Sequence, residues 1–135
     1  MSQENVEAVL RGYEAVNQGD VDGAVAFVAP DCEVELPPML PEADANQGRE
    51  GLKRVWASWI DSFEHFRMEI EEVIDAGDRV MVMACLRGIG KDSGAEVHTP
   101  TFAIIWTVRE GQAVRIQALP TRAAGMESLG LNSDE

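Results

Sequence analysis

Few side chains in this sequence are equipped to move a proton. Only two histidines occur, His65 and His98. Alternation along the run containing His98 puts His98, Pro100, Phe102, Ile104 and Trp106 on one strand face and Val97, Thr99, Thr101, Ala103 and Ile105 on the other. A histidine on the aromatic face would titrate near neutrality and could serve as a general base or as a donor to a ligand carbonyl. The competing reading is a rim histidine beside a turn, solvated and idle. His65 closes a helical pattern, where its charge suits the helix dipole, and reads as structural. Arg87 shares a face with Met81, Met83 and Cys85. Pointing inward it would meet a ligand carboxylate or carbonyl; pointing outward it is a surface or interface charge. Asp31, Glu33 and Glu35 have no histidine at ligand spacing, and Glu69, Glu71 and Glu72 read as a solvated strand face, so neither a metal site nor a cofactor is expected. Cys32 and Cys85 form no Cys-x-x-Cys motif and read as reduced, buried thiols.

The elements that must position these groups follow from periodicity. Val6, Val9, Leu10, Tyr13 and Val16 recur at helical spacing over 3–17, and Gly19 stops that helix. Asp20 supplies an N-cap for a second short helix with Val21, Ala24, Val25 and Val28 as its stripe, ended by Pro30. Residues 32–36 alternate as a short strand, and Pro37-Pro38 opens a loop. Gly48 opens a third helix through about Glu64, with Leu52, Val55, Trp56, Trp59, Ile60 and Phe63 on its apolar face. Four long strands over 66–75, 79–90, 95–109 and 113–119, joined by tight turns, predict an antiparallel meander. A short helical segment follows, and 132–135 reads as a frayed tail. This order predicts one α+β domain over 1–135, ordered over about 3–131: a cone-shaped curved sheet of four long strands plus one short strand, wrapped around three helices, with a short C-terminal helix.

Composition narrows the partners. The chain has 135 residues, 45% of them hydrophobic, enough for one core. Eleven basic against 24 acidic residues give a net charge of −13, which would repel nucleic-acid phosphates and anionic membrane surfaces. No leader pattern and no apolar run near the roughly 20 residues that span a bilayer is present, so the chain reads as cytoplasmic. Tyr13, Trp56, Trp59, Phe63, Phe102 and Trp106 read mainly as core, with one or two expected to line a cavity.

Several short stretches carry a family resemblance: Asn17-Gln18-Gly19-Asp20, Gly48-Arg49-Glu50-Gly51-Leu52, Asp75-Ala76-Gly77-Asp78-Arg79-Val80, Phe102 to Trp106, and Glu110-Gly111-Gln112-Ala113-Val114. In this order, over residues 3–131, they resemble the bacterial SnoaL-like proteins of the nuclear-transport-factor-2-like superfamily. The resemblance implies a curved sheet folded over helices around a conical pocket. It does not imply one reaction, because the superfamily includes steroid Δ-isomerases, limonene-epoxide hydrolases, polyketide cyclases, scytalone dehydratases and many members of no known reaction.

Carried over position by position, the known chemistries lack their residues. The isomerase base falls at Leu36, its donor tyrosine at Gly12 beside Tyr13, and its donor acid near Ile104. The epoxide-hydrolase set would pair Arg87 with a carboxylate where Ile89 stands, and the cyclase aspartate falls at Thr121, a poor proton shuttle. A dehydratase-like histidine corresponds to His98. The leading expectation is therefore a domain that binds a small apolar molecule. Its cavity would be lined by Tyr13, Leu36, Trp56, Trp59, Phe63, His98, Phe102, Ile104, Leu119 and Thr121 and closed by the loop 37–47. One alternative is a lyase, isomerase or cyclase using His98 with Tyr13 or Thr121. The other is an interaction domain that dimerises through its sheet face, where Thr101, Ile105 and Thr107 would be exposed; a homodimer is expected.

Overall fold

The computed structural model describes residues 2–35 and 48–131; the expected strand end at Leu36, the loop 37–47 and the tail 132–135 lie outside the described residues. Helix α1 (Ser2–Asn17) turns directly into α2 (Val21–Ala24), with Asp20 as N-cap accepting from the Gly23 amide at 2.9 Å. Strand β1 (Val28–Glu35) precedes α3 (Gly48–Ser62), which runs straight into β2 (Phe63–Ala76). Strands β3 (Arg79–Gly90), β4 (Glu96–His98), β5 (Phe102–Arg109) and β6 (Gln112–Leu119) follow, then α4 (Arg122–Ser128). The result is the expected α+β class with a curved, unclosed six-stranded sheet in the order β1-β6-β5-β3-β2, and β4 beside β3. No helix among the described residues is long and apolar enough to cross a membrane.

Four expectations are corrected. The second helix ends at Ala24, and Val28 starts β1, where it pairs in parallel with Ala113. Pro30 is tolerated there because, among the described residues, β1 is an edge strand, with a register shift between Val28 and Glu33. His65 does not end a helix; it lies in β2 with φ of 56° at a register shift between Glu64 and Arg67. The expected long strand over 95–109 is two strands, because Pro100 has no N–H to donate. Helix α4 crosses to the sheet face opposite α1–α3 and covers Ile105, which is 3% exposed and not the exposed contact residue expected.

The sheet thus separates two apolar clusters by alternation along its strands. Val80, Val82, Ala84 and Leu86 of β3 and Ile104 and Trp106 of β5 face α1 and α3, packing with Val9, Tyr13, Val16, Leu52, Val55 and Trp56. Met81, Met83, Ala103 and Ile105 face the other way, under Met126 and Leu129 of α4. Two polar clamps hold α4 in place. Arg122 donates to both carboxylate oxygens of Glu72 at 2.9 and 3.1 Å, and Arg79 donates to the carbonyls of Ser128 and Leu129 at the helix end.

Close approaches are made possible by absent side chains. Gly48, with φ of +79°, lies where a Cβ would stand 2.6 Å from the Pro30 carbonyl, so α3 starts against β1. At the outer edge of the sheet, Asn17 acts as a substitute neighbour strand for β2. Its amide donates to the Met68 carbonyl at 3.0 Å and its oxygen accepts from the Met68 N–H at 2.8 Å.

These two local devices have opposite signs in stability. Asn17→Leu strips both partners from a part-buried backbone site and is expected to lower unfolding free energy by about 1–3 kcal/mol in urea titrations. His65→Gly removes a side chain from the left-handed region and is expected to raise it by about 1 kcal/mol in the same assay.

Candidate functional site

The ten residues expected to line one cavity divide into three groups. Tyr13, Trp56 and Ile104 lie in the interior between helices and sheet, at 2%, 4% and 8% exposure. Trp59, Phe63 and Phe102 are half-buried against the same cluster. His98, Leu119 and Thr121 are on the opposite side, and Leu36 lies outside the described residues.

The interior group is a packed aromatic cluster. Trp106 donates from Nε1 to the Tyr13 hydroxyl at 3.0 Å and meets that ring edge-on, with centroids 5.6 Å apart. Phe27 stacks on the other side at 5.5 Å, and Trp56 lies 6.2 Å from both Tyr13 and Trp106. Burial drives the Tyr13 phenol well above its ordinary pKa of 10.0, against the weaker opposing effect of the Trp106 hydrogen bond. Its hydroxyl is therefore a committed acceptor and a neutral phenol. Cys32, in β1, has a thiol pushed up to about 12 by burial and by the nearby carboxylates of Asp31 and Glu33, so it offers no thiolate at neutral pH.

Packing of this inner wall loosens along the sheet. Val80 and Val82 are wholly buried, whereas Leu86 keeps 8% and Val55 of α3 7% exposure. Beyond them Trp59, Ile60, Phe63, Phe66, Val97 and Phe102 are half-buried against the core. Phe66 lies 6.3 Å from both Trp59 and Phe63, and Phe63 lies over Gly88, where a Cβ would come within 2.9 Å of its own. Ile60 and Phe66 carry no site signal in the sequence, because Ile60 continues an ordinary helix stripe and Phe66 opens an expected strand.

His98 is displaced from this wall by a single-residue slip. Ala84 pairs with Phe102, but three residues further along β3, Arg87 pairs with His98, four residues back. A constant register would have set His98 opposite Gly88. The slip reverses side-chain parity, so His98 shares the face of Arg87, while Val97 turns inward against the core. Thr99 bridges the break: its N–H donates to the Leu86 carbonyl at 3.0 Å and its hydroxyl accepts the Leu86 N–H at 2.9 Å. Leu119 pairs with Ala103 and packs under α4, also on the outer side. Thr121 is the exposed N-cap of α4, accepting from the Ala124 amide at 3.1 Å.

On the outer face the chain assembles a polar cluster from β2, β3, β4 and the link between β4 and β5, with His98 of β4 close to Glu69 and Cys85. Arg87 donates to Glu69 at 3.3 Å, and Cys85 makes a 3.7 Å contact with the same carboxylate. Thr101 donates to Glu71, the extra residue of a bulge in β2. Burial, then the charges of Glu69 and Glu71, raise the Cys85 thiol above its ordinary pKa. An open groove of about 540 Å³ between α1 and β2 reaches the same Glu69, with Leu10, Glu14, Gln18 and Arg67 among its lining residues.

This fold agrees with what known proteins give. A family model described as "SnoaL-like domain" matches residues 9–116. The chain belongs to the SnoaL-like domain family. Solved structures similar to this SnoaL-like domain include TerC co-crystallised with polyporic acid, at 25% identity and a TM-score of 0.72, covering 94% of this chain and 98% of that one. A candidate SnoaL-like polyketide cyclase from Jannaschia sp. CCS1 shares 22% identity at a TM-score of 0.73, covering 95% and 92%. An uncharacterised cystatin-fold protein from Novosphingobium aromaticivorans shares 21% at 0.73, covering 88% and 98%. Among curated protein sequences no match was found.

Tyr13 is the chain's only tyrosine, which makes its ionisation directly visible. A phenol whose folded pKa is raised stabilises the fold fully below its unfolded pKa near 10, and that contribution is lost as pH climbs above it. Tyrosinate absorbance is therefore expected to appear together with alkaline unfolding followed by circular dichroism, with no separate titration near pH 10.

Proposed function

We propose that this SnoaL-like domain binds a small, flat, apolar molecule against the half-buried aromatic wall of Trp59, Phe63, Phe66 and Phe102, without transferring a proton to it. One observation carries the reading. Inner-wall packing falls off toward this end of the sheet, and the inward-facing positions there, Phe63, Phe66, Leu86, Gly88, Val97 and Phe102, carry neither carboxylate nor imidazole. A wall of this kind favours ligands through area removed from water and ring stacking, about 0.5–1.5 kcal/mol per aromatic pair beyond burial. The closed end, held by Trp106 and Tyr13, keeps its hydrogen bonds to itself and supplies shape. A cyclase- or isomerase-type reaction with His98 as base would have to take place on the outer face of the sheet, because the slip between β4 and β5 turns that imidazole away from the aromatic wall.

The relative co-crystallised with polyporic acid makes that compound the first member of a test panel, beside steroids, polyketides, terpenes and fatty acids. Thermal-shift scans are expected to give a concentration-dependent rise in midpoint for at least one aromatic member. Saturation at a hundred times Kd corresponds to about 2.7 kcal/mol. Trp59→Ala is expected to abolish the shift while leaving the unliganded midpoint near that of the parent, since Trp59 is only half-buried. A panel with no shift, or a shift indifferent to Trp59→Ala and Phe66→Ala, would overturn the reading.

A further inference from the structure

The polar cluster on the outer face lies apart from the aromatic wall and is not used by the binding proposed above. Its members come from three strands: Glu69 of β2, Cys85 of β3 and His98 of β4, sixteen and thirteen residues apart in the sequence. Each offers one donor atom, and the carboxylate oxygen, the sulfur and the imidazole nitrogen all lie within 4.8 Å of one another. We propose that Glu69, Cys85 and His98 form a binding site for a borderline divalent cation of the zinc class, with a fourth position left to solvent.

Donor chemistry selects the metal. One thiolate, one imidazole and one carboxylate suit zinc and its neighbours, whereas calcium and magnesium take all-oxygen shells. Bonds of about 2.0–2.3 Å place tetrahedral ligands roughly 3.5 Å apart, so closing the site requires about 1 Å of side-chain movement. The framework allows it. Cys85 is 2% exposed and fixed on β3, paired on both sides, while His98 is exposed and the Glu69 side chain is 37% exposed, so the two outer ligands can turn toward the fixed one.

Charge favours the ion as well. The carboxylates of Glu69 and Glu71, whose fields oppose loss of the thiol proton, attract a cation to the same place. On binding, the ion replaces that proton, which leaves to solvent, and the thiolate formed is neutralised by the metal. Arg87 is the competing occupant: its guanidinium is 3.3 Å from Glu69 and half exposed, and a pair of that kind is readily released. The one-residue slip at Pro100 is what makes the site possible, because only the reversed parity brings His98 to the face of Cys85.

The test uses the untagged full chain with zinc and cobalt(II) chloride. Calorimetry with zinc is expected to give one site per chain. Cobalt is expected to add a thiolate-to-metal charge-transfer absorption in the near ultraviolet and the strong visible bands of a four-coordinate ion. Cys85→Ser is expected to remove the charge-transfer absorption, and His98→Gln, a change at an exposed position, to weaken binding roughly tenfold or more. Arg87→Gln is expected to tighten binding by removing the competing charge. The proposal is overturned if neither ion binds at near-equimolar concentration. It is equally overturned if cobalt binds without a thiolate band, or if the affinity is indifferent to His98→Gln. Because none of these readouts involves Trp59, failure here leaves the apolar-ligand reading standing, and the converse also holds.

Discussion

The missing N–H of Pro100 is the constraint on which the arrangement of this sheet depends. A strand that keeps its register along β3 would carry His98 inward and Val97 outward. Proline cannot donate to that ladder, and the residue before it is held in the extended region. The chain adapts by letting the Thr99 side chain take the Leu86 N–H that a regular strand would satisfy from its backbone. Register slips by one residue, and the two faces exchange occupants beyond that point. An imidazole is exported from the interior, a valine is imported, and the inward positions of the strands there, Leu86, Gly88, Val97 and Phe102, are all apolar.

The interior depends on a second commitment, that of Trp106 to Tyr13. An indole buried at 1% exposure needs an acceptor for its N–H, and the phenol oxygen provides it from α1, 93 residues away in sequence. This bond fixes the angle of α1 to the sheet, and the rings of Trp56 and Phe27 complete the cluster around it. A tyrosine engaged in this way is part of the scaffold. It differs in role from the donor tyrosine of steroid isomerases, which aims its hydroxyl at a substrate.

Much of this was legible in the sequence, and the exceptions are non-local. Helices α1 and α3 and the hairpin turns were readable because long apolar periods and paired turn residues carry redundant signals, as with Val9, Tyr13 and Val16 or Glu110-Gly111. Strand β3 was readable to its ends. Errors arose wherever one residue was inserted into an otherwise regular count. Helix α3 ends at Ser62, so His65 falls at the bulge of β2 between Glu64 and Arg67, and the slip at Pro100 turns His98 around. Nothing in the strands of Leu119 and Ile105 announces that α4 returns to cover that side. The cluster of Glu69, Cys85 and His98 was invisible for a different reason. Cross-strand neighbours bear no fixed sequence spacing, so donor atoms a few ångströms apart left no motif to find.

The carboxamide of Asn17 has a consequence for how copies of this chain can meet. An open sheet terminates in two lines of unsatisfied backbone groups, each a template onto which another chain could add a strand. At β1 that template is interrupted by Pro30 and lined with Asp31, Glu33 and Glu35. At β2, fourteen residues long and otherwise an inviting template, Asn17 occupies both hydrogen-bonding groups of Met68 near the middle. A foreign strand would find its ladder broken there, and growth of the sheet from one molecule into the next is obstructed by one short side chain at the end of a helix.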